Sequence, residues 1–204
     1  FSVTDVFDGR LECIYTGRTV LAENPDAVPV GDDPLLPPID TTPEQDCRFA
    51  DGTPIICDFN TEHSWPQSLG ADVEPARSDL HHLFPSEELA NNRRSNHPFG
   101  ETICTTTGCT WTEAGSELGL GNEGTNVFQV RAKYRGDIAR AQFYFAVRYG
   151  YPIDATVEAT LRAWNDEDPV DEHEHIRNER IRIYQNNRNP FVDRSDFVDA
   201  ISDF

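Results

Sequence analysis

The sequence predicts a single α+β domain, and three observations carry that expectation. Strand-like runs are confined to the first half of the 204 residues, stretches with helical spacing occupy the second half, and no internal repeat or second apolar core divides the chain. Hydrophobic residues make up 37% and include 12 Phe and 3 Trp, which is enough for a real core and excludes wholesale disorder. No run approaches the roughly 18 consecutive apolar residues of a membrane-spanning helix.

The elements follow in chain order. Within residues 1–46, LECIYTGRTVLA alternates well enough for one strand, and the Pro- and Asp-rich VPVGDDPLLPPIDTTPEQD that comes after it reads as an irregular arm. Between 47 and 85, PIICDFNTEHSW and SDLHHLFP read as β-like runs separated by a loop containing Gly70 and Pro75. Ser86 then opens a helix through SEEL, with Glu87 and Glu88 at the positive helix end, running to about Asn92. A Cys- and Gly-rich stretch to Asn126 reads as irregular. RGDIARAQFYFAVRYG places Ile138, Ala141, Phe145 and Val147 or Tyr149 at helical spacing, with Asp137 as a cap and Gly150 as the stop. VEATLRAWNDED and VDEHEHIRNERIRIYQNNRNPF predict two further helices, and Pro190 prevents helix from continuing through the final segment.

Several polar and aromatic residues have structural explanations. Tyr144, Phe145 and Tyr149 are expected in the core before any stacking role. His81 and His82 alternate on the expected strand, so one faces inward and the other solvent, and both read as structural. His173 and His175, two apart on a helix beside Glu172 and Glu174, read as a solvated acidic face. Arg177, Asn178, Gln185, Asn187, Arg188 and Asn189 are expected to make buried hydrogen bonds that lock the C-terminal helix and turn.

Lys+Arg 17 against Asp+Glu 36 gives a formal charge of −19, which argues against binding a polyanion. The charge is uneven. Residues 1–60 hold 12 acids and 3 bases, whereas residues 91–148 hold 5 acids and 7 bases: Arg93, Arg94, Arg131, Lys133, Arg135, Arg140 and Arg148. Lys133 is the sole lysine and Met is absent, which is expected of a mature or trimmed secreted product. Acidity with lysine depletion fits a halophilic or marine protein working in concentrated salt, and equally an Arg-favouring, high-GC genome. Five cysteines at 13, 47, 57, 104 and 109 are too spread for a zinc knuckle. The most local pairing joins Cys47 to Cys57, around an Asp51-Gly52 turn signal, and Cys104 to Cys109, leaving Cys13 over. Either bridge implies an oxidising, extracellular or periplasmic setting.

The constellation that carries chemistry lies in NTEHSWPQS and DLHHLFPSEELANNRRSNHPFG. Glu62 stands beside His63 at a strand end, and Asn91 lies on the helix that follows, ahead of Arg93 and Arg94. A carboxylate and an amide oxygen suit Mg²⁺, with Ca²⁺ or Mn²⁺ as alternatives, and two protein ligands leave positions open for a phosphate oxygen. His63, titrating near 6.5 when unperturbed, suits a general base.

EHSWPQS, DLHHLFP, NNRRSNHPFG, RGDIARAQFYFAVRY and DPVDEHEHIRNERIRIYQNNRNPFVD, in that order, resemble the endonuclease I family of non-specific secreted or periplasmic nucleases. The likeness covers roughly residues 11–195. It implies a ββα-metal (His-Me finger) core with additional helices and long loops: arm 1–46, ββα motif 47–100, and loop-rich and helical remainder 101–204. It further implies His63 as general base, Glu62 and Asn91 as metal ligands, and Arg77, Arg94 or Arg140 on the phosphate, Arg94 in a catalytic role. In some relatives a carboxylate two positions before the DLH motif orients the base. Here that position is Arg77, so orientation passes to Asp79 or to a backbone carbonyl. The function so implied is hydrolysis of DNA, with RNA as a further substrate, to 5′-phosphate products. The acidity, read as fitting concentrated salt, adds the expectation of salt tolerance, and a monomer is expected. Two other readings stay open on the residues alone: a zinc hydrolase of another substrate class built on several of the six histidines, and a non-catalytic nucleic-acid-binding or adhesion module.

Overall fold

The computed structural model of the protein describes residues 4–7, 10–21, 59–104 and 108–204. The Pro/Asp-rich arm, Cys47, Cys57 and the Asp51-Gly52 turn lie outside the described residues. Helices and three small antiparallel sheets make an α+β architecture.

The N-terminal segment, expected to hold one strand, holds three: β1 (Val6–Phe7), β2 (Arg10–Glu12) and β3 (Thr19–Leu21), in that order in one sheet. The chain reverses between β2 and β3 because Gly17 takes a φ of 69° and donates its N–H to the Cys13 carbonyl at 2.9 Å. Within this turn Cys13, Ile14 and Tyr15 are fully buried. Ile14 N–H donates to the Pro85 carbonyl at 3.1 Å, which docks the turn on the second sheet.

That second sheet is β4 (Phe59–His63) paired antiparallel with β5 (Leu83–Glu87), with Glu62 opposite Phe84 and His63 opposite Leu83. Three expectations are corrected here. His81 and His82 are not on a strand but in a 3₁₀ turn, Leu80–His82, capped by Asp79, whose carboxylate accepts from the His81 N–H at 3.0 Å. Both rings are therefore buried, rather than one in and one out. Helix α1 (Glu88–Arg94) begins two residues after Ser86, which belongs to β5. The Ser86 hydroxyl donates to the Glu87 carbonyl at 3.2 Å instead of capping the helix.

The stretch expected to be irregular contains the third sheet, β6 (Trp111–Glu113), β7 (Ser116–Leu120) and β8 (Asn126–Gln129), in sequential order. Cys104 and Cys109 are joined by a disulfide beside β7, and Cys13 is a buried free thiol.

The helices fall where their periodicity predicts. Helix α2 (Arg135–Tyr149) buries Ile138, Ala139, Ala141, Phe143 and Phe145 and is a core helix rather than a surface one. Gly150, at φ 72°, ends it by donating to the Ala146 carbonyl. Asp137 lies in its first turn and does not cap it; the capping position is Tyr134. Helix α3 (Ala155–Glu167) packs on α2 through Leu161 and Trp164. Helix α4 (Glu172–Gln185) is capped by Asp171 and is shorter than expected, ending at its C-cap Asn186, whose φ of 61° turns the chain. Pro190 does not stop it but opens the short α5 (Pro190–Asp193), a first-turn position that needs no N–H, ahead of α6 (Phe197–Ala200). Asn178 and Asn189 bond each other through backbone and side chain, and Asn189 donates to the Arg140 carbonyl at 3.0 Å. Arg177 reaches Asp5 and the carbonyls of Leu80 and Leu83, so the C-terminal polar residues do lock the fold. His173 is not merely solvated, since it stacks on Phe7 with centroids 4.3 Å apart.

Candidate active site

Alternation along β4 turns Glu62 inward, where it is 1% exposed, and leaves His63 half-buried at the strand end before Pro66 breaks the run. Helix α1 follows β5 directly and returns Asn91 and Arg94 to the same place. Glu62, His63, Asn91 and Arg94 line one open cleft of about 450 Å³, together with Thr61, Gln67, Ser68 and Asn96.

The Nε2 of His63 lies 3.0 Å from the Arg77 carbonyl. A carbonyl only accepts, so a proton on Nε2 satisfies this contact and leaves the Nδ1 lone pair basic, with the Gln67 amide nitrogen 3.4 Å from Nδ1 and 3.2 Å from Nε2. Burial, with lesser opposing help from backbone acceptors, holds the imidazole below its usual pKa, and it is neutral at neutral pH. Of the two ways of orienting His63 that the sequence left open, the backbone carbonyl is the one present. Asp79 makes no such contact: its carboxylate accepts from the Tyr144 and Tyr149 hydroxyls at 2.7 and 2.6 Å and from the Gln185 amide at 2.7 Å. Burial works against the charge of Asp79, but these donors outweigh it and keep the carboxyl below its ordinary range. Asp79 braces α2 and α4 against the 3₁₀ turn.

Among the described residues Glu62 has its contacts on one oxygen. Oε1 accepts from the Tyr15 hydroxyl at 2.8 Å and lies 3.1 Å from Arg94 Nη1. Burial pushes its pKa up to about 6, with Arg94 and the Tyr15 hydroxyl pulling the other way. Asn91 donates its amide N–H to the Thr61 carbonyl at 3.0 Å and to Asn60 Oδ1 at 2.7 Å, which turns its own carbonyl oxygen into the spare donor atom. A desolvated carboxylate with an uncommitted oxygen and an amide carbonyl form a hard-oxygen pair that fits a divalent ion such as Mg²⁺. Among the described residues one grouping brings three Cys, His, Asp or Glu ligand atoms together, Cys104, Cys109 and Glu117, and its cysteines are consumed in the disulfide.

Two arginines expected on phosphate are corrected. Arg140 is 0% exposed, pairs through Nε and Nη2 with both oxygens of Glu174, and donates to Asn165 and the Asp168 carbonyl. No guanidinium edge remains for a ligand. Arg94 is 2% exposed, and besides Glu62 it holds the carbonyls of His63, Ser64 and Ser95 while stacking on Phe99. It braces the strand end that carries the site. Arg77 is 60% exposed at its side chain and meets Glu74 only at 3.8 Å.

The basic segment 91–148 is correspondingly not a basic surface. Arg131 and Lys133 both pair with Glu12, Arg135 with Glu101 and Glu167, and Arg140 with Glu174. Arg148 approaches Asp79 at 4.0 Å, and Arg93 is exposed with no carboxylate partner among the described residues. Sequence reasoning missed Tyr15, which carries no local signal because its partner is 47 residues away. It also left Gln67, Ser68 and Asn96 unassigned, although all three stand inside the blocks quoted above.

Comparison with known proteins adds the lineage. The family model for Endonuclease I matches residues 31–196. An extracellular ribonuclease of Bacillus subtilis is 36% identical over 167 residues, covering 72% of this chain and 54% of that protein. The extracellular ribonuclease of Bacillus amyloliquefaciens is 35% identical over the same shares, and a periplasmic deoxyribonuclease of Aeromonas hydrophila 29% identical over 61% of this chain and 51% of its own. The chain thus spans about half the length of the curated relatives it matches. With the match running through the strands, turn and helix that build the cleft, the chain belongs to the Endonuclease I family.

Proposed function

We propose that the chain is a secreted, divalent-metal-dependent endonuclease with a ββα-metal core formed by β4, β5 and α1, cutting both DNA and RNA. The observation that carries this reading is the one cleft in which His63, its Nε2 held against the Arg77 carbonyl, stands beside Glu62 and Asn91. The names of the relatives, extracellular ribonuclease and periplasmic deoxyribonuclease, support an extracytoplasmic setting and both polymers as substrate. The disulfide supports the same setting. No helix among the described residues is long and apolar enough to cross a membrane.

In the mechanism, His63 Nδ1 accepts a proton from a water attacking phosphorus, and the Arg77 carbonyl steadies the imidazolium that forms through its bond to Nε2. Glu62 and Asn91 would hold Mg²⁺, which when bound offsets charge on the phosphoryl oxygen and the departing 3′-oxygen. Arg94 fixes Glu62 and the strand end, while the exposed Arg77 side chain contacts phosphate. Gln67, Ser68 and Asn96 offer neutral donors along the cleft, which suits contacts to backbone rather than to base edges.

Few free cations border the cleft, so binding depends little on counterion release, and we read the −19 charge as an adaptation to a saline medium. The test is digestion of plasmid DNA and of RNA by wild type and His63→Ala, with Mg²⁺ and with chelator, across a salt series. Cleavage by wild type with Mg²⁺ alone is expected. Cleavage that persists in chelator, or intact polymers throughout, contradicts the reading.

A further inference from the structure

Tyr15 lies outside the region matched by the family model, which begins at residue 31, yet its hydroxyl is buried against the carboxylate at the centre of the cleft. The residue is fully buried, its ring packs on Phe128 with centroids 4.7 Å apart, and its carbonyl is held by the Ser116 hydroxyl at 2.7 Å. The backbone on either side is pinned as well: Ile14 N–H donates to Pro85 on β5, and Cys13 Sγ accepts from the N–H groups of Thr16 and Glu87 at 3.4 and 3.3 Å. A turn fastened at four points to two sheets delivers one hydroxyl to one oxygen.

That hydroxyl and Arg94 Nη1 both fall on Oε1 of Glu62. A carboxylate with one oxygen doubly engaged has a fixed rotation, and its other oxygen carries the remaining lone pairs.

We propose that Tyr15 is a positioning residue for metal binding: by holding Oε1 of Glu62 it presents Oε2 to the divalent ion, so the N-terminal sheet is a working part of the site. The inference rests on the reading of Glu62 as a metal ligand. The principle is the usual one for metal centres, in which partners behind the ligands orient them and their loss costs roughly 10–100-fold in affinity.

The test is Tyr15→Phe, which removes the hydroxyl and leaves the ring. The expected result is an apparent Mg²⁺ constant for cleavage raised about 10-fold, with kcat at saturating Mg²⁺ within about twofold of wild type and KM for DNA unchanged. A purely structural role would lower kcat or thermal stability without moving the Mg²⁺ requirement, and that outcome overturns the proposal. Glu62→Gln in parallel separates the two claims. If Glu62→Gln leaves the Mg²⁺ requirement unmoved, the metal-ligand reading fails. If it is disabled while Tyr15→Phe matches wild type, only the role of Tyr15 fails. Should Tyr15→Phe fold poorly, ¹³Cζ-tyrosine NMR of wild type decides: a Tyr15 resonance that shifts on Mg²⁺ addition supports the proposal, and one that stays still contradicts it.

Discussion

Among the described residues two arginine–carboxylate pairs are buried on both sides, and they are built differently. Arg140 and Glu174 meet side-on between α2 and α4, with each carboxylate oxygen taken by a guanidinium nitrogen at 2.6–2.7 Å and Asn165 completing the set. Arg94 and Glu62 meet at a single oxygen, 3.1 Å away, and the second oxygen has no such partner among the described residues. Both carboxylates are desolvated, and burial raises the pKa of each above its ordinary range. The first pair is closed and serves the scaffold; the second is left open on the side of the cleft. The saturated pair reads as scaffold, and the open oxygen of the second is the one that the proposed metal site uses.

Ways to break this contrast run from large effects to small. His63→Ala is expected to lower kcat by about 10²–10⁴-fold while shifting the thermal midpoint little, since the ring is only half-buried. Activity and calorimetry on one preparation check both halves. Glu174→Gln is expected to do the converse. It strands half of a buried guanidinium and costs on the order of 3–5 kcal/mol of stability, read from urea unfolding. Glu62→Gln should cost clearly less, because Arg94 keeps its three carbonyl acceptors. Equal losses for the two substitutions would erase the distinction between closed and open pairs.

A third prediction concerns pH. His81 and His82 are buried neutral, and burial lowers each pKa to about 4. Their unfolded values near 6.5 lie higher, so between pH 6.5 and 4 the unfolded state binds more protons and stability falls as pH falls. The loss approaches about 3 kcal/mol per histidine at pH 4, and His82→Gln should flatten the acid side of the stability curve. Glu62 works in the opposite sense, since its raised pKa makes the folded state the better proton acceptor between about 4.5 and 6. The smallest effect expected is on salt. With Arg77 and Arg93 as the exposed cations near the cleft, log KM for duplex DNA should rise with log salt at a slope of about 2. A slope several times steeper would reveal a basic surface that the ion pairs of 91–148 argue against.

The helices were legible because their signals are local. Periodicity gives α2, α3 and α4, Gly150 ends α2, and Asp171 caps α4. That Glu62, His63 and Asn91 share a cleft was legible because Glu62 and His63 are adjacent in sequence and Asn91 lies in the first turn of the helix that follows the paired strand β5. What escaped depends on distance or on burial. The sheet β6–β8 hides because glycines at 115, 119 and 121 interrupt its alternation. The reversal at Gly17 split an apparent single strand, and the Tyr15–Glu62 bond spans 47 residues with no local mark. Nor does a sequence tell a buried arginine from an exposed one. Arg94 and Arg140 look like Arg77 on the page, and only the carbonyls and carboxylates around them decide which reaches phosphate.

The most direct measurement is chemical rescue of His63→Ala. Single-turnover cleavage of a labelled oligonucleotide is followed at saturating Mg²⁺ while free imidazole is added. The rate should start at least about 100-fold below wild type and climb in proportion to neutral imidazole, as a base replaced in its cleft demands. A His63→Ala enzyme that cleaves at the wild-type rate with no imidazole present would contradict the account.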